Sequence, residues 1–217
     1  MEDHMTRVMV GGDVAVPDHP SLDVLGTFAN GTETIASVVT DLPDVLLLDV
    51  GVGDPDVRAV CRRIREWAPA TRVLVTGRDD DENLYTALVA GAAGALLADA
   101  PAEARVDAIH ATGRGESVLQ MRMASRLLHD IDAWALRSAD PLYPPPSLTS
   151  TEREVLVSIA DGKSTATIAA TYNVTPHLVS LHAGFAVGKL HRYVLGAEKI
   201  AAYGSRSAGA PWHREHQ

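Results

Sequence analysis

Apolar residues recur in two rhythms along this chain, and the change of rhythm divides it. Up to about residue 116, short β-rich runs alternate with stretches patterned at helical spacing. The runs are RVMVG (7–11), LDVLGTF (22–28), DVLLLDV (44–50), RVLVT (72–76) and GALLA (94–98), with helical patterns near 32–41, 55–67, 80–90 and 101–113. In PDVRAVCRRIREW, Val57, Val60, Cys61 and Ile64 share one face, while Arg62, Arg63 and Arg65 fall mostly elsewhere. Near-continuous apolar strands separated by helices predict an α/β doubly wound domain, with a parallel five-stranded sheet covered on both faces. The run DVLLLDV ends on a carboxylate, Asp49, at the strand end where such sheets place their ligands.

A further helix is predicted at about 117–134, followed by ALRSADPLYPPPSL, a proline-rich stretch that cannot continue a helix and acts as a stiff spacer. From Leu148 onward the pattern is helical only, at 149–161, 164–171, 175–190 and 196–203. Thr149 stands three residues before Glu152, a capping-box spacing, and Thr175 precedes Pro176 at a helix start. The expected organisation is an α/β domain over 1–116, a linker helix and proline-rich linker over 117–147, an all-α domain over 148–204, and a disordered polar tail over 205–217.

Composition narrows the classes. The chain has 217 residues, 46% hydrophobic and 22% charged, an ordinary globular balance that can fill two small cores. Aromatics are only 5%, so those cores are aliphatic. The single cysteine, Cys61, excludes a disulfide framework and reads as a small core residue. No apolar run approaches the ~18 residues of a membrane span, and MEDHMTRVMVGG lacks the build of a signal peptide, so a cytoplasmic protein without membrane contact is expected. The net charge of −9 is uneven: residues 1–147 carry −11 and residues 148–204 carry +1. Only the second part can approach a polyanion without strong repulsion.

The alternation, with Asp13, Asp49 and Thr76 at three strand ends, resembles the receiver domain of two-component response regulators. The segment LTSTEREVLVSIADGKSTATIAATYNVTPHLVSLHAGFAVGKL (148–190) resembles the LuxR/NarL-type helix-turn-helix, through LTxxEREVL, the small-residue IAA and VTxxxVxxHxxxxxxKL. Together the resemblances cover roughly residues 5–203 and imply a DNA-binding transcription regulator of the two-component type, with DNA as its partner.

The receiver resemblance has gaps. Family members typically carry two adjacent acids after the first strand, where this chain has Gly12 and Asp13, and a lysine in LLKDA, where it has Ala98. Thr76 keeps the hydroxyl that senses a phosphoryl group. A charge-assisted hydrogen bond contributes about 1.5–3 kcal/mol, and an aspartyl phosphate carries roughly two negative charges with no lysine here to meet them. Asp49 is therefore expected not to be a physiological phosphoacceptor. No cofactor is expected beyond weak Mg²⁺ at Asp13 and Asp49. Only VAVPDH separates Asp13 from Pro20, too short for the first receiver helix, so a patch of the sheet is expected to be repacked or covered by another chain. Such departures resemble atypical orphan regulators, which implies action independent of phosphorylation.

In the second domain Val179, Ala183, Ala186 and Leu190 form a buried stripe on the expected recognition helix, and His177, Ser180, Leu181 and Gly184 face outward. Where the family usually presents lysine, this chain has Ser180; His182 is kept, and Gly184 stands at another commonly polar position. None of the bidentate base-reading types lies on that face. Phosphate contacts are expected from Lys163, Lys189, Arg192 and Lys199. Weak groove readout and the missing helix together suggest a homodimer, or a heterodimer with a more basic related response regulator. Two other readings remain open: an interaction protein that sequesters a related regulator without touching DNA, and a phosphorylated or ligand-sensing regulator using the Asp13, Asp49 and Thr76 pocket. No glycine-rich phosphate loop or metal-site spacing supports an enzyme.

Overall fold

In the computed structural model, which describes residues 5–78, 82–137 and 144–207 with side chains through Leu136 and Ala197 in the last two segments, the sheet comes first. Its strands are β1 (Thr6–Gly11), β2 (Leu22–Phe28), β3 (Val45–Asp49), β4 (Arg72–Gly77) and β5 (Gly94–Leu97), all parallel in the order β2-β1-β3-β4-β5. The connecting helices are α1 (Gly31–Asp41), α2 (Val57–Trp67), α3 (Glu82–Ala90) and α4 (Ala102–Gly113). Strands β3 and β4 are buried on both faces because helices flank them, which is why their sequences are continuously apolar. The predicted stripe of α2 is fully in the core, with Cys61 among it, and burial pushes that thiol up to about 12.

No helix lies between β1 and β2, as the length of that segment requires. The sheet patch beneath is not left bare: of the two expected outcomes, repacking or cover by another chain, the fold shows repacking. Val8, Leu47 and Leu74 are wholly buried under Ile109 and Val106 of α4, and Val14 and Val16 of the connecting loop pack onto the same cluster. Arg105 fastens this loop, donating to the carbonyls of Ala15, Ala98 and Ala100. One cation thus ties together three segments that a first helix would otherwise have held apart from water, and the domain repacks without a second chain.

The expected helix at 117–134 begins later, as α5 (Met121–Arg137). Residues 117–120 instead run along the open edge of β5: the Ala95 amide donates to Val118 O, Gln120 Nε2 to Ala95 O, and the Ser117 hydroxyl to Ala93 O. An edge strand offers unpaired carbonyls and amides, and satisfying them outweighs one extra helical turn. The proline-rich stretch is partly outside the described residues; 144–149 is irregular.

Helices α6 (Ser150–Ala160), α7 (Thr165–Tyr172) and α8 (Pro176–Ser207) form the carboxyl-terminal domain. The capping box is present, Thr149 and Glu152 satisfying each other's amide. Asn173, in the left-handed region at φ 53°, closes α7 and turns the chain into α8. The two expected helices at 175–190 and 196–203 are one continuous helix that also takes in 205–207; the rest of the expected tail, 208–217, lies outside the described residues. Val155, Ile168, Ala169, Val179 and Ala183 make a small core of their own. Leu156, Ala186, Val187 and Leu190, by contrast, join the large core containing Met9, Leu46 and Leu88 of the sheet domain, with Met123, Leu127 and Ile131 of α5 between. Helix α5 is glued on both sides: Tyr85 donates to Asp130 at 2.6 Å, and Arg153 pairs with Asp132 at 2.6 Å.

Candidate DNA interface and phosphoacceptor pocket

The strand-end pocket forms around Asp49. Its register partner on β4 is Thr76, which is buried, and its Oδ1 accepts from the Gly51 amide at 3.0 Å. Gly12 takes φ +88°, and a Cβ there would meet Asp49 Cβ at 2.6 Å. A side chain at residue 12 is excluded both by this contact and by a backbone conformation that L residues rarely adopt. Asp13 is exposed beside it. Ala98 is exposed just after β5, its carbonyl accepts from Arg105, and its own side chain carries no charge. Among the described residues no group of three His, Cys, Asp or Glu could hold a metal, which leaves Asp13 and Asp49 as the two carboxylates of this strand end.

The recognition segment of α8 is placed differently from the sequence expectation. The stripe Val179, Ala183, Ala186 and Leu190 is buried as predicted. The opposite face, expected to point outward, is docked on the turn between α4 and α5. The Ser117 amide donates to Ser180 O at 3.1 Å, across the two domains. His177 Nδ1 lies 2.8 Å from Glu116 Oε1, which also accepts from Arg114 Nε at 2.7 Å. Gly184 lies so close that a Cβ on it would meet Gly115 O at 2.8 Å. Gly115 itself needs φ +89° to make the turn. Two helical turns further on, His191 Nε2 donates to Leu88 O of α3 at 2.7 Å. Burial pushes this imidazole down to about 4, so it is neutral at physiological pH.

A depressed imidazole has a definite consequence. The solvated ring takes up a proton near 6.5 and the docked ring does not until about 4, so the docked state loses stability as pH falls from 6.5 towards 4. Urea midpoints are expected to drop between pH 7 and pH 5, and His191→Gln should flatten that slope.

The remaining candidates divide as follows. Leu181 is half-buried. His182 edges onto Phe185 at 6.0 Å between ring centres and lines a groove with Tyr172, Val174 and Leu178. Lys189, expected to touch phosphates, is instead committed within the chain: its ammonium lies 2.7 Å from Glu152 Oε2 and 2.9 Å from Ser147 O. Burial raises the Glu152 carboxyl, but hydrogen bonds from Lys189 and the Thr149 amide outweigh it and hold the group below its ordinary value. Lys163 is exposed in the α6–α7 turn, and Arg192 lies on the surface near Pro144–Pro146. The Lys199 side chain lies outside the described residues. Sequence reasoning missed Glu116, Ser117 and Arg105. The first two carried a signal, the glycine-flanked TGRGES, which marks a turn and not a helix start.

Comparison with known proteins fits this division. Residues 146–192 match the family described as bacterial regulatory proteins, luxR family. The chain is 29% identical over 208 residues to the transcriptional regulatory protein LiaR of Bacillus subtilis, covering 95% of each. It is 31% identical to the receiver domain of the putative response regulator NarL from Mycobacterium tuberculosis, covering 52% of this chain and 98% of that one at a TM-score of 0.46. A LuxR-family two-component response regulator from Aurantimonas shares the fold, at 21% identity and a TM-score of 0.51 over 58% of this chain and 97% of that one. No helix among the described residues is long and apolar enough to cross a membrane.

Proposed function

Because this chain belongs to the LuxR/NarL family of response regulators, a receiver-like domain joined to a DNA-binding helix-turn-helix, we propose that it controls transcription by undocking its recognition helix and without an aspartyl phosphate. The observation that carries the reading is the contact of Ser180 and Gly184 with the Gly115–Ser117 turn. A helix lying on that turn cannot enter a major groove. DNA therefore binds only the undocked form, and its affinity is reduced by the docked fraction.

Independence from phosphate rests on the strand-end pocket. Gly12 leaves no room for a second acid, and Ala98 supplies no cation for the phosphoryl group. Asp49→Asn is expected to change DNA affinity less than twofold, and incubation with acetyl phosphate and Mg²⁺ should add no mass. An acyl-phosphate adduct on Asp49 accompanied by tighter DNA binding would overturn this part.

Once undocked, the reading face offers Ser180, Leu181 and Gly184, with no Arg, Lys, Asn or Gln between His177 and Gly184. Lys189 is held by Glu152, which further thins the supply of phosphate contacts. Few cations mean a shallow salt slope and weak binding alone. The protein accordingly works as a dimer on DNA, pairing with a more basic related response regulator at an asymmetric site. Sedimentation and DNA-shift assays of the purified protein test this: weak binding alone at ordinary salt is expected, and tight sequence-specific binding alone would remove the need for a partner. The small, cation-free face also favours a second reading, in which the chain sequesters a related regulator; an opened variant that still ignores DNA would select it.

A further inference from the structure

A cavity of about 180 Å³ lies between the two domains, directly beneath the docked helix. Its receiver wall includes Arg65 of α2, Arg72 at the start of β4, Gly91 and Glu116; its other wall is Gly184, Gly188 and His191 of α8. The space lies beside Gly188, which has no side chain to fill it: a Cβ there would meet nothing within 4 Å. A cavity of ~150 Å³ accommodates a benzene-sized molecule. The lining is polar and its charge is lopsided. Glu116 is its carboxylate, and that group is already engaged by Arg114 and His177. The guanidinium of Arg72 reaches the cavity over Gly115, within 3.1 Å of where a Cβ would stand, and has no ion pair or side-chain hydrogen bond among the described residues.

We infer that this cavity is a binding site for a small organic oxyanion, a molecule of about six to eleven heavy atoms bearing one carboxylate or phosphate, whose occupancy holds the recognition helix down. The anionic group lies against Arg72, since a guanidinium matches either oxyanion with two parallel hydrogen bonds. The organic part lies in the space beside Gly188. A ligand touching both domains binds the docked form and not the open one, so it lowers DNA affinity by about (1 + [L]/Kd), roughly a hundredfold at a hundred times Kd. This rests on the docked state proposed above.

Isothermal titration of the full chain with benzoate and with phenyl phosphate tests the site directly, and the pair shows which oxyanion it takes. Binding of at least one is expected. Arg72→Gln, a change at an exposed guanidinium with no partner to lose, should weaken it tenfold or more. Gly188→Leu should abolish it by filling the space while leaving the fold intact. Absence of binding by both probes, or binding unaltered by both substitutions, would overturn the inference. Failure of the docked-state reading is read separately, as DNA affinity that does not rise in an undocked variant.

Discussion

Replacing Gly184 with leucine is expected to raise the affinity of the full chain for DNA by about tenfold to a hundredfold. The new Cβ alone would stand 2.8 Å from Gly115 O, a backbone atom in a turn pinned at φ +89°, so the neighbour cannot swing aside. Forcing a side chain into a filled contact costs roughly 1–3 kcal/mol, and each ~1.4 kcal/mol is tenfold in an equilibrium. That cost falls on the docked form only. The gain in helix propensity on replacing glycine applies to both forms, so it leaves this difference intact. Gly188→Leu supplies the control. It makes the same chemical change one turn along the same helix, where the new Cβ meets nothing within 4 Å and the rest of the side chain enters the cavity, and should leave DNA affinity near that of the unaltered chain. Fluorescence anisotropy with duplex DNA at fixed salt measures both; equal affinities for the two variants would contradict the docking account.

Lys189→Met should lower the stability of the carboxyl-terminal domain by about 2–3 kcal/mol, somewhat less than the roughly 3–5 kcal/mol that breaking a fully buried pair costs, because the ammonium keeps some contact with water. Glu152 is only 5% exposed, and without the ammonium its carboxylate keeps the Thr149 amide as a partner but loses its counter-charge. The lysine also holds Ser147 O, so the end of the proline-rich linker loosens with it. Were Lys189 a phosphate contact instead, the substitution would leave stability alone and reduce the salt slope of DNA binding by about one. Urea denaturation together with a salt series separates the two roles, and Glu152→Gln in the same chain should recover part of the loss. In the unaltered protein, a carboxyl held low contributes stability above about 4.5 that disappears as pH falls through its folded value.

The parallel sheet was legible because its signal is local: four or five consecutive apolar residues flanked by helical spacing have few other solutions. The stripe of α2 and the capping box at Thr149 were legible for the same reason. The missing first helix followed from chain length alone, but its consequence did not. Whether Val14, Val16 and Arg105 close the gap depends on side chains brought together across ~90 positions, which no periodicity announces. The start of α5 was misread because the open edge of β5 competes for residues 117–120, again a long-range effect.

The recognition helix shows the limit most clearly. Gly184 and Ser180 read as losses, positions where a base-reading side chain is absent. In the folded chain the same small residues are what let α8 lie against the Gly115 turn, so poverty of contact in one state is closeness of fit in the other. Lys189 misled in the opposite direction: a lysine on a helix of a DNA-binding domain invites a phosphate role, and only the position of Glu152, 37 residues earlier, shows where its charge goes.

Amide hydrogen exchange at Ser117 is the most direct test of the docked recognition helix, since this N–H is satisfied by Ser180 O from the other domain. In the protein without DNA the Ser117 amide should exchange slowly, and saturating duplex DNA should deprotect it while the amides of β3 and β4 stay protected. Rapid exchange at Ser117 in the DNA-free protein, or protection that persists unchanged on DNA, would contradict the account.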